Sequence, residues 1–185
     1  MRVAVCRPQV PFEQSRNVLT ASLVVALRRQ GHQAELVTLP TAGRSDERLE
    51  LRAFPWRLLD LDEVDGRAID VVITTTFPSY VLRHRNKRVW LVEPCLTQQL
   101  DRTDRASSGE SSEDRALRRS VQRLERGAFA EATGLFAASH GIATGLEEST
   151  GLAAELLPCP PSEVAHVEDD STPVTWDHAI ARLLA

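Results

Sequence analysis

The opening of this chain constrains its fold more than any other feature. Residues 2–6 carry Val3-Ala4-Val5-Cys6, an apolar run with no polar alternation. Such a strand belongs inside a parallel sheet covered on both faces. The turn segment Arg7-Pro8-Gln9-Val10-Pro11-Phe12 follows, then a helical stretch with Leu19, Leu23, Val24 and Leu27 at spacings of three and four. Ser15 or Asn17 is placed to cap that helix, and Gly31 to end it. Residues 32–38 read as a second strand. Strand, helix, glycine stop and strand in close succession make a βαβ unit, for which a right-handed crossover is expected.

The rest of the chain extends the same pattern. Residues 46–59 form a more polar helical stretch containing Pro55, and Gly66 closes a turn. Residues 69–74 (Ile-Asp-Val-Val-Ile-Thr) are the strongest strand. Phe77-Pro78-Ser79-Tyr80 starts a short helix, and residues 88–92 form the next strand, with Trp90 in the core. Residues 101–114, rich in Ser, Asp and Gly, predict a loop, with Ser112 capping a helix over 116–132. Residues 135–138 and 154–157 are short strands. Between them Ser139 caps a helix over 142–149. A linker rich in Glu and Asp covers 162–173, and an amphipathic helix over 176–184 closes the chain, capped by Thr175 and anchored by Trp176. The expected fold is α/β: a single Rossmann-like doubly wound parallel sheet over residues 1–161, with the helix of 174–185 packed back on it.

Composition removes several function classes. No apolar run in the 185 residues approaches the ~20 of a membrane span. The net charge of −4 argues against a nucleic-acid binder. Residues 1–7 show no signal-peptide pattern, which points to a cytoplasmic location. Cys6, Cys95 and Cys159 form no CxxC or zinc spacing, so reduced structural thiols and no metal are expected. There is no GxGxxG or Walker motif, so no cofactor is called for. Of the 22 basic residues only Lys87 is a lysine, which reads as coding bias.

Sheets of this type bind ligands at the carboxyl ends of their strands. That geometry selects Arg7, Ser15, Thr75, Thr76, Phe77, Glu93, Ser139 and His140 as candidate ligand contacts. Each has a competing structural reading. Ser15 and Ser139 suit helix caps, and the threonines suit a strand end. Glu93 follows an apolar strand directly and is a candidate general base if partly buried, with His140 as the other catalytic candidate. Cys95, after Pro94, is a candidate exposed thiol without an assigned histidine partner.

A series of segments also resembles the family 4 glycosyltransferases. It runs through residues 1–13 and 27–40, Trp56-Arg57-Leu58-Leu59-Asp60-Leu61, Phe77-Pro78-Ser79-Tyr80, Asn86-Lys87-Arg88-Val89-Trp90-Leu91-Val92, residues 113–118 and Leu135-Phe136-Ala137-Ala138-Ser139. The resemblance covers about residues 1–161, and implies the amino-terminal, acceptor-side domain of a GT-B enzyme. Thr175-Trp176-Asp177-His178-Ala179-Ile180 resembles that family's final helix, which crosses back onto the first domain. The family's second domain, which grips the nucleotide sugar, has no counterpart between them. Two local departures accompany this. Gln14-Ser15-Arg16-Asn17 stands where the family often has a Gly-Gly pair, and Glu93 where it often has a histidine. The resemblance therefore implies a non-catalytic, glycosyltransferase-like auxiliary subunit in a sugar-transfer or natural-product pathway. Its expected partners are a second copy, a full-length glycosyltransferase or a small acceptor-like ligand. The alternatives are a repurposed small enzyme at the strand-end cleft and the acceptor half of a split transferase.

Overall fold

A computed structural model describes residues 1–9, 14–40, 49–105, 112–160 and 174–185. Six strands form one sheet: β1 (Arg2–Gln9), β2 (Gln33–Pro40), β5 (Val71–Thr74), β6 (Lys87–Leu91), β7 (Gly134–Ala137) and β8 (Glu155–Leu156). Their order is β2-β1-β5-β6-β7-β8, and every pairing is parallel. β3 (Glu63–Val64) and β4 (Arg67–Ala68) form a separate antiparallel hairpin.

The helices divide between the two faces, which makes the sheet doubly wound. Helix α1 (Gln14–Arg29) and the final helix α6 (Trp176–Leu184) share one face. There Leu23, Val24 and Leu27 of α1 and Ala179, Ile180 and Leu183 of α6 pack against Val3, Val5, Val71, Ile73 and Trp90. The opposite core holds Ala4, Cys6, Val72, Val89, Leu91 and Ala137. Over it lie α2 (Leu49–Leu58), the 3-10 turn Ser79–Val81, α3 (Leu96–Arg105), α4 (Ser112–Ala130) and α5 (His140–Thr150). Moving left by α1 and right by everything after it requires helices on opposite faces when all crossovers are right-handed.

The closing helix is docked on the sheet. Trp176 meets Trp90 edge to face, with ring centroids 6.5 Å apart, and Trp90 Nε1 donates to Leu157 O at 2.8 Å. Thr175 caps α6 by accepting from His178 N. Gln30 bonds Asp177 at 2.7 Å, and Arg182 grips Glu155 through two bonds of 2.8 and 2.6 Å.

Several local expectations change. α1 already includes Ser15 and Asn17, so neither precedes it as a cap. The loop expected over 101–114 is helical at both ends: α3 runs through Arg105, and α4 starts at Ser112. The reason is that α3's amino terminus is anchored from within the fold, and Leu96 and Leu100 pack on the core. The turn at Gly66 proves to be the tip of the β3–β4 hairpin. Asp65 (φ 54°) and Gly66 (φ 71°) supply the two left-handed residues that a tight two-residue connection requires. The start of the 46–59 helix, the centre of the 101–114 segment and the linker 162–173 lie outside the described residues.

Candidate functional site

The strand order reverses between β1 and β5, and the two ladders of β1 stop at different heights. β1 pairs β5 only as far as Cys6↔Thr74. It goes on pairing β2 through Arg7↔Thr38 to Gln9↔Pro40. β5 ends, and Thr75 and Thr76 lead away into the 3-10 turn, which is held by Ser79 N and Oγ donating to Thr76 O at 2.9 and 2.7 Å.

Arg7, Thr74 and Thr75 lie at this switch point, with Thr74 in register with Cys6 and Arg7 one residue beyond, on the opposite face of β1. Thr74 and Thr75 are 0% and 1% exposed. Their Oγ1 atoms have no hydrogen-bond partner among the described residues, and neither does the buried Nε of Arg7. Arg7 Nη1 donates to its neighbour Pro8 O at 3.3 Å, and desolvation pulls the guanidinium pKa below its usual value. A buried hydroxyl without a partner costs about 1–3 kcal/mol. Such groups are rare enough that each needs a reason.

The other candidates separate from this group. Thr76 is buried, and its carbonyl serves the turn. Phe77 belongs to the core: its ring sits edge-on to Tyr80 at 5.8 Å, with the Arg52 guanidinium 5.3 Å from its centroid. Glu93 is half-buried just past the end of β6, one strand from β5. Ser139 caps α5, accepting from Ile142 N at 3.3 Å. His140 is exposed two strands from β5 and lines a different cavity, of about 590 Å³, between α3, α4 and α5. Polar groups including Gln98, Gln122 and an Asp101–Arg118 ion pair of 3.1 Å also bound that cavity. The side chain of Ser15 is outside the described residues.

Cys95 is not an exposed thiol but a buried one, 1% exposed. Burial, reinforced by Glu125, pushes its pKa up to about 12. Burial raises Cys159 to about 11 and Cys6 further still. No cysteine is therefore a thiolate at neutral pH, the form a nucleophile needs.

Two buried charged groups beneath this face were not singled out by sequence reasoning. The Glu125 carboxylate accepts from Leu96 N at 2.7 Å, Thr97 N at 3.0 Å, Thr97 Oγ1 at 2.5 Å and the Tyr80 hydroxyl. It thus occupies the positive end of α3. Gln98 completes the cap by accepting from Cys95 N at 2.8 Å. Its amide donates to Ile142 O at 3.1 Å, and Gly145 gives it room: a Cβ there would lie 2.0 Å from Gln98 Nε2. Lys87 donates to Tyr80 O, Leu82 O and Ala128 O at 3.1, 3.0 and 2.7 Å. Those bonds use all three ammonium donors, which a planar guanidinium would not reproduce. Burial lowers its pKa to about 8, against the pull of Glu131 3.8 Å away.

A signal for both was present. Glu125 lies four residues from Val121 and from Phe129, on the apolar stripe of α4. Lys87 alternates with Val89 and Leu91 on the buried face of β6. Among the described residues, no group of three or more His, Cys, Asp and Glu is placed to hold a metal ion. None of their helices is long and apolar enough to cross a membrane. No protein-family model and no curated protein matches this sequence.

Proposed function

We propose that this chain is a glycosyltransferase-like binding domain. It holds a polar, acceptor-like ligand at the β1–β5 switch point and serves as a non-catalytic partner subunit in a sugar-transfer or natural-product pathway. The observation that carries this reading is that Arg7 Nε, Thr74 Oγ1 and Thr75 Oγ1 are all buried at the strand ends of the switch point without partners among the described residues. One guanidinium donor and two hydroxyls, each able to donate and accept, suit a hydroxylated ligand that carries an anionic group. The helix α6 docked through Trp176 on Trp90 is in keeping with the glycosyltransferase resemblance.

Two observations favour binding over covalent catalysis here. The thiols are held protonated, and Ser139 is engaged as a cap facing α5's own backbone. Calorimetric titration with a panel of sugars and sugar phosphates tests the reading. Binding is expected for at least one, with loss of about tenfold or more in Thr75→Val and Arg7→Gln. Ligand affinity that is unchanged in both variants rules out this site. Light scattering tests the partner role: a dimer, or a mixed complex with a complete transferase, is expected, and a strict monomer that captures no partner argues against it.

A further inference from the structure

The opposite end of the sheet carries a second groove, independent of the switch point. It has a volume of about 460 Å³ and runs along the amino-terminal ends of β1 and β2, under the β3–β4 hairpin. A volume of this size suits a small ligand. Val37, Leu61, Val64 and Ile69 give it an apolar lining. β2 is the edge strand of the sheet, and no strand of the described residues pairs with its outer side.

The rim is basic. Arg2, Arg28 and Arg67 surround the apolar part, with Glu35 the one acid in the lining. Arg2 is held in place, its Nη1 donating to Val64 O at 3.1 Å and Arg67 O at 2.6 Å. Arg28 Nε donates to Ala34 O at 2.7 Å. These bonds go to neutral carbonyls and hold the Arg2 and Arg28 side chains in place. Three guanidinium groups of the lining stand against the Glu35 carboxylate, and the Asp70 carboxylate lies beside them, accepting from Arg2 N at 2.7 Å, which leaves a net positive charge.

We propose that this groove binds the phosphate monoester of an apolar alcohol. The apolar lining takes the hydrocarbon, and the arginines take the head group. A phosphate monoester carries about −1.5 to −2 at neutral pH, opposite in sign to the groove. Guanidinium forks bind such oxygens in pairs. The proposal does not depend on the switch-point reading, which concerns the other end of the strands.

Calorimetric titration of the full chain with decyl phosphate, below its micelle concentration, tests it. Saturable one-to-one binding is expected. Arg67→Gln should weaken it about tenfold and Glu35→Gln should tighten it about threefold. Thr75→Val, at the far end of the sheet, should leave it unchanged. Inorganic phosphate, decanol and decanoate should each bind at least about tenfold more weakly, because each lacks the tail, the charge or the second negative charge. The proposal is overturned by absent or unsaturable binding, by an affinity that Glu35→Gln lowers or that neither groove variant moves, by loss in Thr75→Val, or by decanoate binding equally well.

Discussion

Two sets of buried polar groups in this fold are treated in opposite ways. Beneath α3 and α4, Glu125 and Lys87 are 0% exposed, and between them they take seven hydrogen bonds from or to the protein. At the end of β5, Thr74 and Thr75 are as deeply buried, and their hydroxyls have no partner among the described residues. The cost of an unmade bond is the same kind of cost in both places, and it is met in only one. Glu125 and Lys87 therefore belong to the architecture. At Thr74, Thr75 and Arg7 the missing partner is what the proposed ligand would supply.

That contrast can be broken at either side. The largest effect is expected at Glu125. Glu125→Ala removes the acceptor for four donors and leaves them buried, so urea unfolding should show a loss of about 3–5 kcal/mol or no folding at all. A loss under about 1 kcal/mol would mean that the carboxylate does not anchor α3.

Lys87 comes next, through pH. Its pKa is lowered from 10.5 to about 8 by folding. The charged form is thus penalised in the native state, fully below pH 8, and the penalty disappears as pH rises to 10.5. Wild type should therefore gain on Lys87→Met by on the order of 3 kcal/mol across that window. The buried Tyr80, whose pKa is raised by burial and by Glu125, pulls the other way at high pH. It is present in both proteins, so it cancels in the comparison. A flat difference between the two unfolding curves would contradict the assignment.

The smallest effect is expected at Arg57, which holds Glu131 by bonds of 2.7 and 2.6 Å. That hydrogen-bonded pairing lowers the Glu131 pKa. Its stabilisation is present above the ordinary carboxylate range and is lost as pH falls through the lowered native value. Solvent screens the pair, so Arg57→Ala should cost under about 1 kcal/mol at pH 7, and the difference should shrink in acid.

The sheet was legible in the sequence because its strands are unbroken apolar runs and its helices end on clear signals. Gly31 ends α1 with φ 85°, and Ser139 and Thr175 cap α5 and α6 as their positions suggest. Helix α3 was not legible. Leu96–Arg105 is mostly polar, and its first turn is fixed by Glu125, about thirty residues later in the chain. The same limit applies to the site. Thr75 and Arg7 were identifiable as strand-end groups, but whether a hydroxyl finds a partner depends on register: β5 stops at Thr74 while β1 continues to Gln9. His140 is close to these residues in strand-end pattern but opens on another cavity, because β7 lies two strands away. Lys87, read as coding bias, is the buried ammonium that ties three carbonyls together.

The most direct test of the central claim is the stability of Thr75→Val without ligand, set beside its ligand binding. Valine keeps the shape and removes a hydroxyl that has no partner among the described residues. If Thr75 is kept for a ligand, urea unfolding should show the variant more stable than wild type by about 1 kcal/mol while switch-point binding is lost. A variant that is less stable than wild type, or one that binds as well, would contradict the account.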